Sequence, residues 1–311
     1  MKKIFFFDID GTLITREYVI HPPTRQLIQA LAKEPNVKLG IATGRSRGGI
    51  SNLGDLLPLF ENLVLMNGSY IIADQKNIYE QKLSKELLKK IINKGKEYSI
   101  GLGIIGLDKR EIVVINSEVA KLIETDGKRK WIIKEGQQIN VNENFHVEKL
   151  DYDVYQIWAF HEDNTVVDKL CQEIEVLKPY FSRPERSDLV YRYFNKASGI
   201  KKIKKLYPDC QVVCIGDGHN DIEMLKLADI GIAMGNTKYK EVLQNAQLVA
   251  PSIEKNQLYD FFKANKTGLI IKNPYFYYIM EIILIMENIY FIIKKKESSF
   301  KSLCLKPKSY K

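Results

Sequence analysis

The chain has few of the residues that soft-metal and redox sites use, and none are paired. Its four cysteines, Cys171, Cys210, Cys214 and Cys304, show no metal-ligand spacing, so a paired-cysteine zinc site is not expected and a reduced, cytoplasmic protein is. The four histidines, His21, His146, His161 and His219, are scattered. No two stand at zinc-ligand spacing, and none is assigned a catalytic role. The first apolar run ends at Asp8, too soon for the hydrophobic region of a secretory leader, so no leader is expected. No internal repeat is visible. A net charge of +9 would suit nucleic acid, but the body lacks a long basic stripe with interleaved aromatics. From Leu269 onward eight lysines meet three glutamates, so more than half of the excess lies in the final stretch. No nucleic-acid partner is expected. Hydrophobic residues at 45% and charged residues at 27% of 311 fit a soluble globular chain with one large domain or two smaller ones.

Against these absences stands the stretch Phe5-Phe6-Phe7-Asp8-Ile9-Asp10-Gly11-Thr12. The run Ile4 to Phe7 is too short for a helix and reads as a buried parallel strand. Asp8 then stands at its carboxyl end, where open α/β sheets place ligands. Asp10, two residues on, faces the same way if the chain stays extended. Two carboxylates at one point repel unless a proton or cation separates them. The pattern therefore suggests a Mg2+ site, an acid/base pair, or both; the plain alternative is a strand ending in a polar turn.

The following segments alternate between strand and helix. Pro22-Pro23-Thr24 opens a helix with Leu27, Ile28 and Leu31 on one face. Val37 to Thr43 reads as a strand, a helix is expected from near Ser46, and Leu63 to Met66 is a third strand. Ile71-Ile72 and the Tyr79 region suggest a hairpin. The pattern then changes to an amphipathic helix from Ser84 to Tyr98, short strands over Leu102–Ile105 and Ile112–Ile115, an alternating strand over Val154–Phe160, and a helix over Thr165–Leu177. The parallel pattern resumes with a helix over Ser198–Leu206, strands at Gln211–Ile215, Ile230–Ala233 and Gln247–Val249, and a last helix over Glu254–Lys263. The expected class is α/β, a Rossmann-like parallel-sheet core with an inserted α+β cap domain. Its expected boundaries are 1–81 for the first part of the core, 82–182 for the cap, 183–268 for the second part of the core, and 269–311 for an extra tail, helical or poorly ordered.

Three strand ends carry reactive or phosphate-friendly residues: Asp8 with Asp10, Thr43-Gly44-Arg45, and Gly216-Asp217-Gly218-His219-Asn220-Asp221. In a parallel sheet they share one edge. Asp8, Asp10 and Asp217 would supply hard oxygen ligands suited to Mg2+. The Thr43 hydroxyl lies near a predicted helix start, whose amides favour an anion. Lys196, just before a predicted helix, is the natural fixed cation for a phosphate oxygen. Arg45 either contacts substrate or pairs with an acid. Arg183, Arg186 and Arg192 either bind anions or are solvated.

These residues resemble the four motifs of haloacid dehalogenase-like hydrolases, specifically the Cof-type sugar-phosphate phosphatases. The third motif, Asn195-Lys196-Ala197-Ser198-Gly199, keeps the lysine but not the usual flanks. The resemblance runs from about Lys2 to about Asn265, and the insert falls where that family carries its cap. It implies Mg2+ held by Asp8, the Asp10 backbone carbonyl and Asp217, with Asp221 in support. It implies Asp8 as nucleophile and Asp10 as general acid and base. Thr43, Gly44, Lys196 and Asn220 would grip the phosphoryl oxygens. The implied partner is a small phosphorylated metabolite: a sugar phosphate, or a cofactor such as FMN or pyridoxal phosphate. A phosphomutase and a slow-turnover phosphate-ligand sensor remain as rivals. The tail is set apart: Tyr275 to Ile293 nears the length of a membrane span, yet Glu281, Glu287 and Asn288 interrupt it. A packed helix, an accidental extension and a membrane contact all stay open for it.

Overall fold

The structure is a computed structural model, and it describes residues 2–125, 140–142, 144–183 and 186–264. Residues Met1–Phe261 form one compact unit. The tail beyond residue 264, and every expectation for it, lies outside the described residues. The described strands are β1 (Lys3–Phe7), β2 (Val37–Ala42), β3 (Asn62–Leu65), β4 (Tyr70–Ala73), β5 (Lys76–Glu80), β6 (Gly101–Ile105), β7 (Arg110–Val114), β8 (Asn140–Val141), β9 (Gln156–Phe160), β10 (Leu177–Arg183), β11 (Arg186–Tyr191), β12 (Gln211–Gly216), β13 (Ile230–Met234) and β14 (Leu248–Ala250).

Eight of them form one sheet in the order β14-β13-β12-β1-β2-β3-β4-β5. Pairing is parallel from β14 through β3, and the hairpin β4–β5 adds antiparallel strands at one edge. β1 is apolar throughout because both of its faces are covered. Ile4 and Phe6 pack with Ile200 and Ile203 of the helix Lys196–Lys204. On the other face Phe5 and Phe7 stack at 6.2 Å, and Phe7 meets Phe60 edge-on. Register brings the site together: Phe7 is level with Ile41 of β2 and with Ile215 of β12. Asp8, Thr43 and Asp217 therefore leave the sheet at one edge.

The second sheet is six-stranded, in the order β10-β11-β9-β6-β7-β8. Its helix Lys85–Glu97 is capped by Ser84, which accepts from the Leu87 amide at 3.2 Å. Leu88, Ile91 and Ile92 of that helix pack on Leu102, Ile104, Ile157 and Leu189. Burying one such side chain contributes about 1.5–3 kcal/mol. Alternation then turns Gln156 and Trp158 to the opposite face of the sheet.

Several elements depart from the sequence reading. The segment expected to be helical from near Ser46 is a 3-10 stretch, Gly48–Leu59, broken at Gly54 with φ +57°. Its glycines and Pro58 are poor helix formers. The helix expected over Thr165–Leu177 ends at Glu173, and Leu177 already begins β10. The hairpin β10–β11 straddles the boundary expected at 182/183. Pro179 disguises β10 as a non-strand, but this strand is at the sheet's edge, where proline is tolerated. The last helix starts at Leu258 instead of Glu254, after a 3-10 turn closed by left-handed Asn256. No helix among the described residues is long and apolar enough to cross a membrane.

Candidate active site

Asp8 continues the ladder just past β1, its amide donating to the Ile215 carbonyl at 2.9 Å. The turn that follows needs Gly11. Its φ of +77° is left-handed, and a Cβ there would lie 2.3 Å from Asp217 Oδ2. The Asp8 carboxylate is 7% exposed and accepts from Lys196 Nζ at 2.7 Å. The same ammonium donates to Asp221 Oδ1 at 2.6 Å, and both Lys196 and Asp221 are fully buried. Asn195 caps the helix by accepting from the Ser198 amide, which makes Lys196 the first helical residue. A lysine clamped this way is a fixed cation.

The loop after β12 is held from within. Asp221 Oδ2 accepts from the amides of Asp217 and Gly218 at 3.0 and 2.8 Å. Asp217 in turn accepts from the Thr12 hydroxyl at 3.3 Å and from Asn236 Nδ2 at 3.2 Å. Asn236 also donates to the Gly11 carbonyl at 2.9 Å, tying the two motif loops together.

Burial pushes the Asp8 carboxyl up to about 7; Lys196 opposes this, while Asp221 and Asp10 add to it. Burial likewise pushes Asp217 up to about 8, with Asp8 and Asp221 adding repulsion. Burial disfavours the charge on Lys196, but its two carboxylates outweigh that and hold its pKa above the usual value.

Asp10 faces elsewhere. Arg45 donates to both of its oxygens at 2.7 Å, and its remaining terminal nitrogen reaches the Gly49 carbonyl at 2.8 Å. Of the two roles left open for Arg45, the structure contains the pairing with an acid. Thr43 is buried, its hydroxyl accepting from the Arg45 amide at 3.2 Å. Asn220 donates to Asn67 Oδ1 at 2.9 Å. Asp8, Asp10, Thr43, Gly44, Asp217 and Asn220 all line a cavity of about 790 Å³. Gln156, Trp158, Arg186 and Asp188 of the second sheet line it from the other side. That sheet is held down by Arg110 donating to the Ser46 hydroxyl at 3.1 Å, by the Arg47–Asp108 ion pair, and by the Gly48 amide on the Leu107 carbonyl. Of the three arginines flagged near its return, Arg186 reaches the cavity. Arg192 donates instead to the Glu175 carbonyl, and the Arg183 side chain lies outside what is described.

Asp8, Asp217 and Asp221 each offer an oxygen within 4.8 Å of the others. Hard carboxylate oxygens crowded in a buried place, with the Asp8 and Asp217 carboxyls raised by burial, call for a proton or a cation, so these residues fit Mg2+. Both Asp221 oxygens are already engaged by Lys196 and the loop amides, which leaves it the supporting place. The Asp10 side chain is not in this cluster.

Sequence reasoning missed Asn67 and Asn236. Asn67, just past β3, is fully buried with φ +53° and holds Asn220. Asn236 follows β13, a further parallel strand end at the same edge, and that placement was the available signal.

A family model described as haloacid dehalogenase-like hydrolase matches residues 5–262. A putative bifunctional phosphatase/peptidyl-prolyl cis-trans isomerase of Streptococcus pyogenes is 25% identical over 88% of this chain, and the match spans 56% of that longer protein. A 5-amino-6-(5-phospho-D-ribitylamino)uracil phosphatase of Bacillus subtilis is 26% identical over 76% of this chain and 85% of its own length. A solved sugar phosphatase of haloacid dehalogenase subclass IIB superposes with a TM-score of 0.71 at 26% identity, covering 85% of this chain and 98% of that one.

Proposed function

We propose that this chain, which belongs to the haloacid dehalogenase-like hydrolases and is a phosphatase enzyme, hydrolyses small phosphomonoesters by carrying the phosphoryl group on Asp8. The observation that carries this reading is the Asp8 carboxylate, held 2.7 Å from a fully buried ammonium on the wall of the cavity that also admits Asp10. The Asp8 oxygen attacks phosphorus, the bond to the ester oxygen breaks, and Asp10 gives that oxygen its proton. In the second half Asp10 takes a proton from the water that attacks phosphorus and frees Asp8. Lys196, expected to grip a phosphoryl oxygen, is instead fully buried between Asp8 and Asp221, where it orients Asp8 and opposes its protonation. Thr43, Gly44 and Asn220 face the phosphoryl oxygens. Asp8, the Asp10 carbonyl and Asp217, with Asp221 in support, would hold Mg2+, which would supply the charge neutralisation that lets two anions approach. Substrates in this reading are sugar phosphates or phosphorylated cofactors such as FMN or pyridoxal phosphate. The sugar phosphatase and ribitylamino-uracil phosphatase relatives support a small, polar leaving group.

Phosphate release from a panel of phosphorylated metabolites, with Mg2+ and with EDTA, tests it. Metal-dependent release is expected; equal release in EDTA would remove the metal from the account.

Two further outcomes follow from the geometry. Arg45→Lys keeps a cation but loses the fork that holds Asp10. It is expected to lower kcat about 10- to 100-fold with a smaller change in KM. Steady-state kinetics check this, and an unchanged kcat would contradict it. The raised carboxyl pKa values make metal binding compete with protons. Apparent Mg2+ affinity should weaken as pH falls from about 8 to about 6, with protons released on binding. Calorimetry in buffers of different ionisation enthalpy reads both, and an affinity independent of pH would count against it.

A further inference from the structure

The cavity-facing side of the second sheet carries polar groups in register. Asp188 of β11 is level with Trp158 of β9, and Gln156 of β9 is level with Ile105 of β6. Asp188 and Gln156 are 5% and 1% exposed. Alternate residues of the same strands, Ile157, Ala159 and Leu189, are buried in the apolar core behind them. Asp188 reaches across the cavity: a Cβ placed on Gly44 would lie 3.2 Å from Asp188 Oδ2. A carboxylate of the second sheet therefore stands against the loop proposed to grip the phosphoryl group.

A carboxylate beside a bound dianion is repulsive unless a cation offsets it and its oxygens meet donors. The offsetting cation is Arg186, whose Nε lies 3.8 Å from Asp188 Oδ1. Gln156 adds a second acceptor, since its Oε1 is buried and has no hydrogen-bond partner among the described residues. Neither acceptor suits a second anionic group on the ligand. The guanidinium groups of Arg186 and Arg110 lie 4.5 and 5.3 Å from the ring centre of Trp158 beside them. The wall opposite the phosphate loop thus suits a hydrogen-bond donor on the ligand.

We infer that Asp188, flanked by Arg186 and assisted by Gln156, reads a hydroxyl group on the leaving side of the ester. The pair thereby selects hydroxylated phosphate esters over deoxygenated ones. This inference rests on the phosphatase reading and deepens it. It assigns a specificity role and leaves the bond-breaking step to Asp8 and Asp10.

The test compares glycerol 3-phosphate with propyl phosphate, which lacks both hydroxyls, using the full chain with Mg2+. The wild type is expected to prefer the hydroxylated ester in kcat/KM. Asp188→Asn and Asp188→Ala are expected to lose about tenfold or more of that preference, chiefly through KM for glycerol 3-phosphate. Gln156→Leu should move the ratio the same way by less. An equal loss on both esters, or a preference kept in the Asp188 variants, overturns the inference, as does a wild type that shows no preference. A wild type that releases phosphate from neither ester nor any member of the metabolite panel brings down the phosphatase reading itself, and the specificity pair with it.

Discussion

Asp8→Asn is expected to abolish phosphate release, by about 10⁴-fold or more, in a protein that stays folded. The amide keeps the size of the carboxylate and removes the nucleophile. Its effect on stability has the opposite sign from its effect on activity. The folded-state pKa of Asp8 is raised to about 7, chiefly by burial, above the ordinary carboxylate value of about 3.9. A carboxyl raised in this way destabilises the fold at any pH above its unfolded pKa, because holding the buried charge costs free energy. Without metal, the asparagine variant should therefore melt no lower than the wild type near neutral pH. Inactivity accompanied by a large fall in melting temperature would point to a structural role for Asp8.

Lys196→Met should do the reverse and damage both. The ammonium is fully buried between Asp8 at 2.7 Å and Asp221 at 2.6 Å. Its removal leaves two buried carboxylates without their cation. Breaking such a cluster by removing one partner costs about 3–5 kcal/mol. Phosphate release should fall with it, since Asp8 then takes up a proton at neutral pH. In the wild type the raised lysine pKa keeps this cation charged across the whole working range, so its contribution is lost only in strong alkali. In the variant, acid relieves the strain by protonating the carboxyls. The stability gap should therefore be widest near pH 7.5 and narrow towards about pH 5. Urea denaturation at both values reads this, and equal midpoints for variant and wild type near neutrality would refute the clamp.

The convergence of the candidate residues was legible because each motif is local and ends a strand. A four-residue apolar run is short enough to exclude a helix, and the shared edge of a parallel sheet then assembles Asp8, Thr43 and Asp217 without knowledge of any contact. Three things escaped for physical reasons. The hairpin β10–β11 was hidden by Pro179, which reads against a strand unless the strand is known to be an edge. Arg45 offered no local signal for its partner, because Asp10 lies 35 positions away. The wall opposite the phosphate loop is built from different strands, with Gln156, Trp158, Arg186 and Asp188 meeting only through register. Alternating polar residues in otherwise buried strands were its sole trace. The helix expected from Ser46 failed because three glycines and a proline shift this segment to 3-10 geometry.

Acid quenching of the enzyme during turnover, followed by mass spectrometry of its peptides, tests the central claim most directly. The account predicts one added phosphoryl group on the peptide containing Asp8, present with substrate and Mg2+ and absent from Asp8→Asn. Rapid phosphate release with no such adduct on any peptide would contradict it and favour direct attack by water.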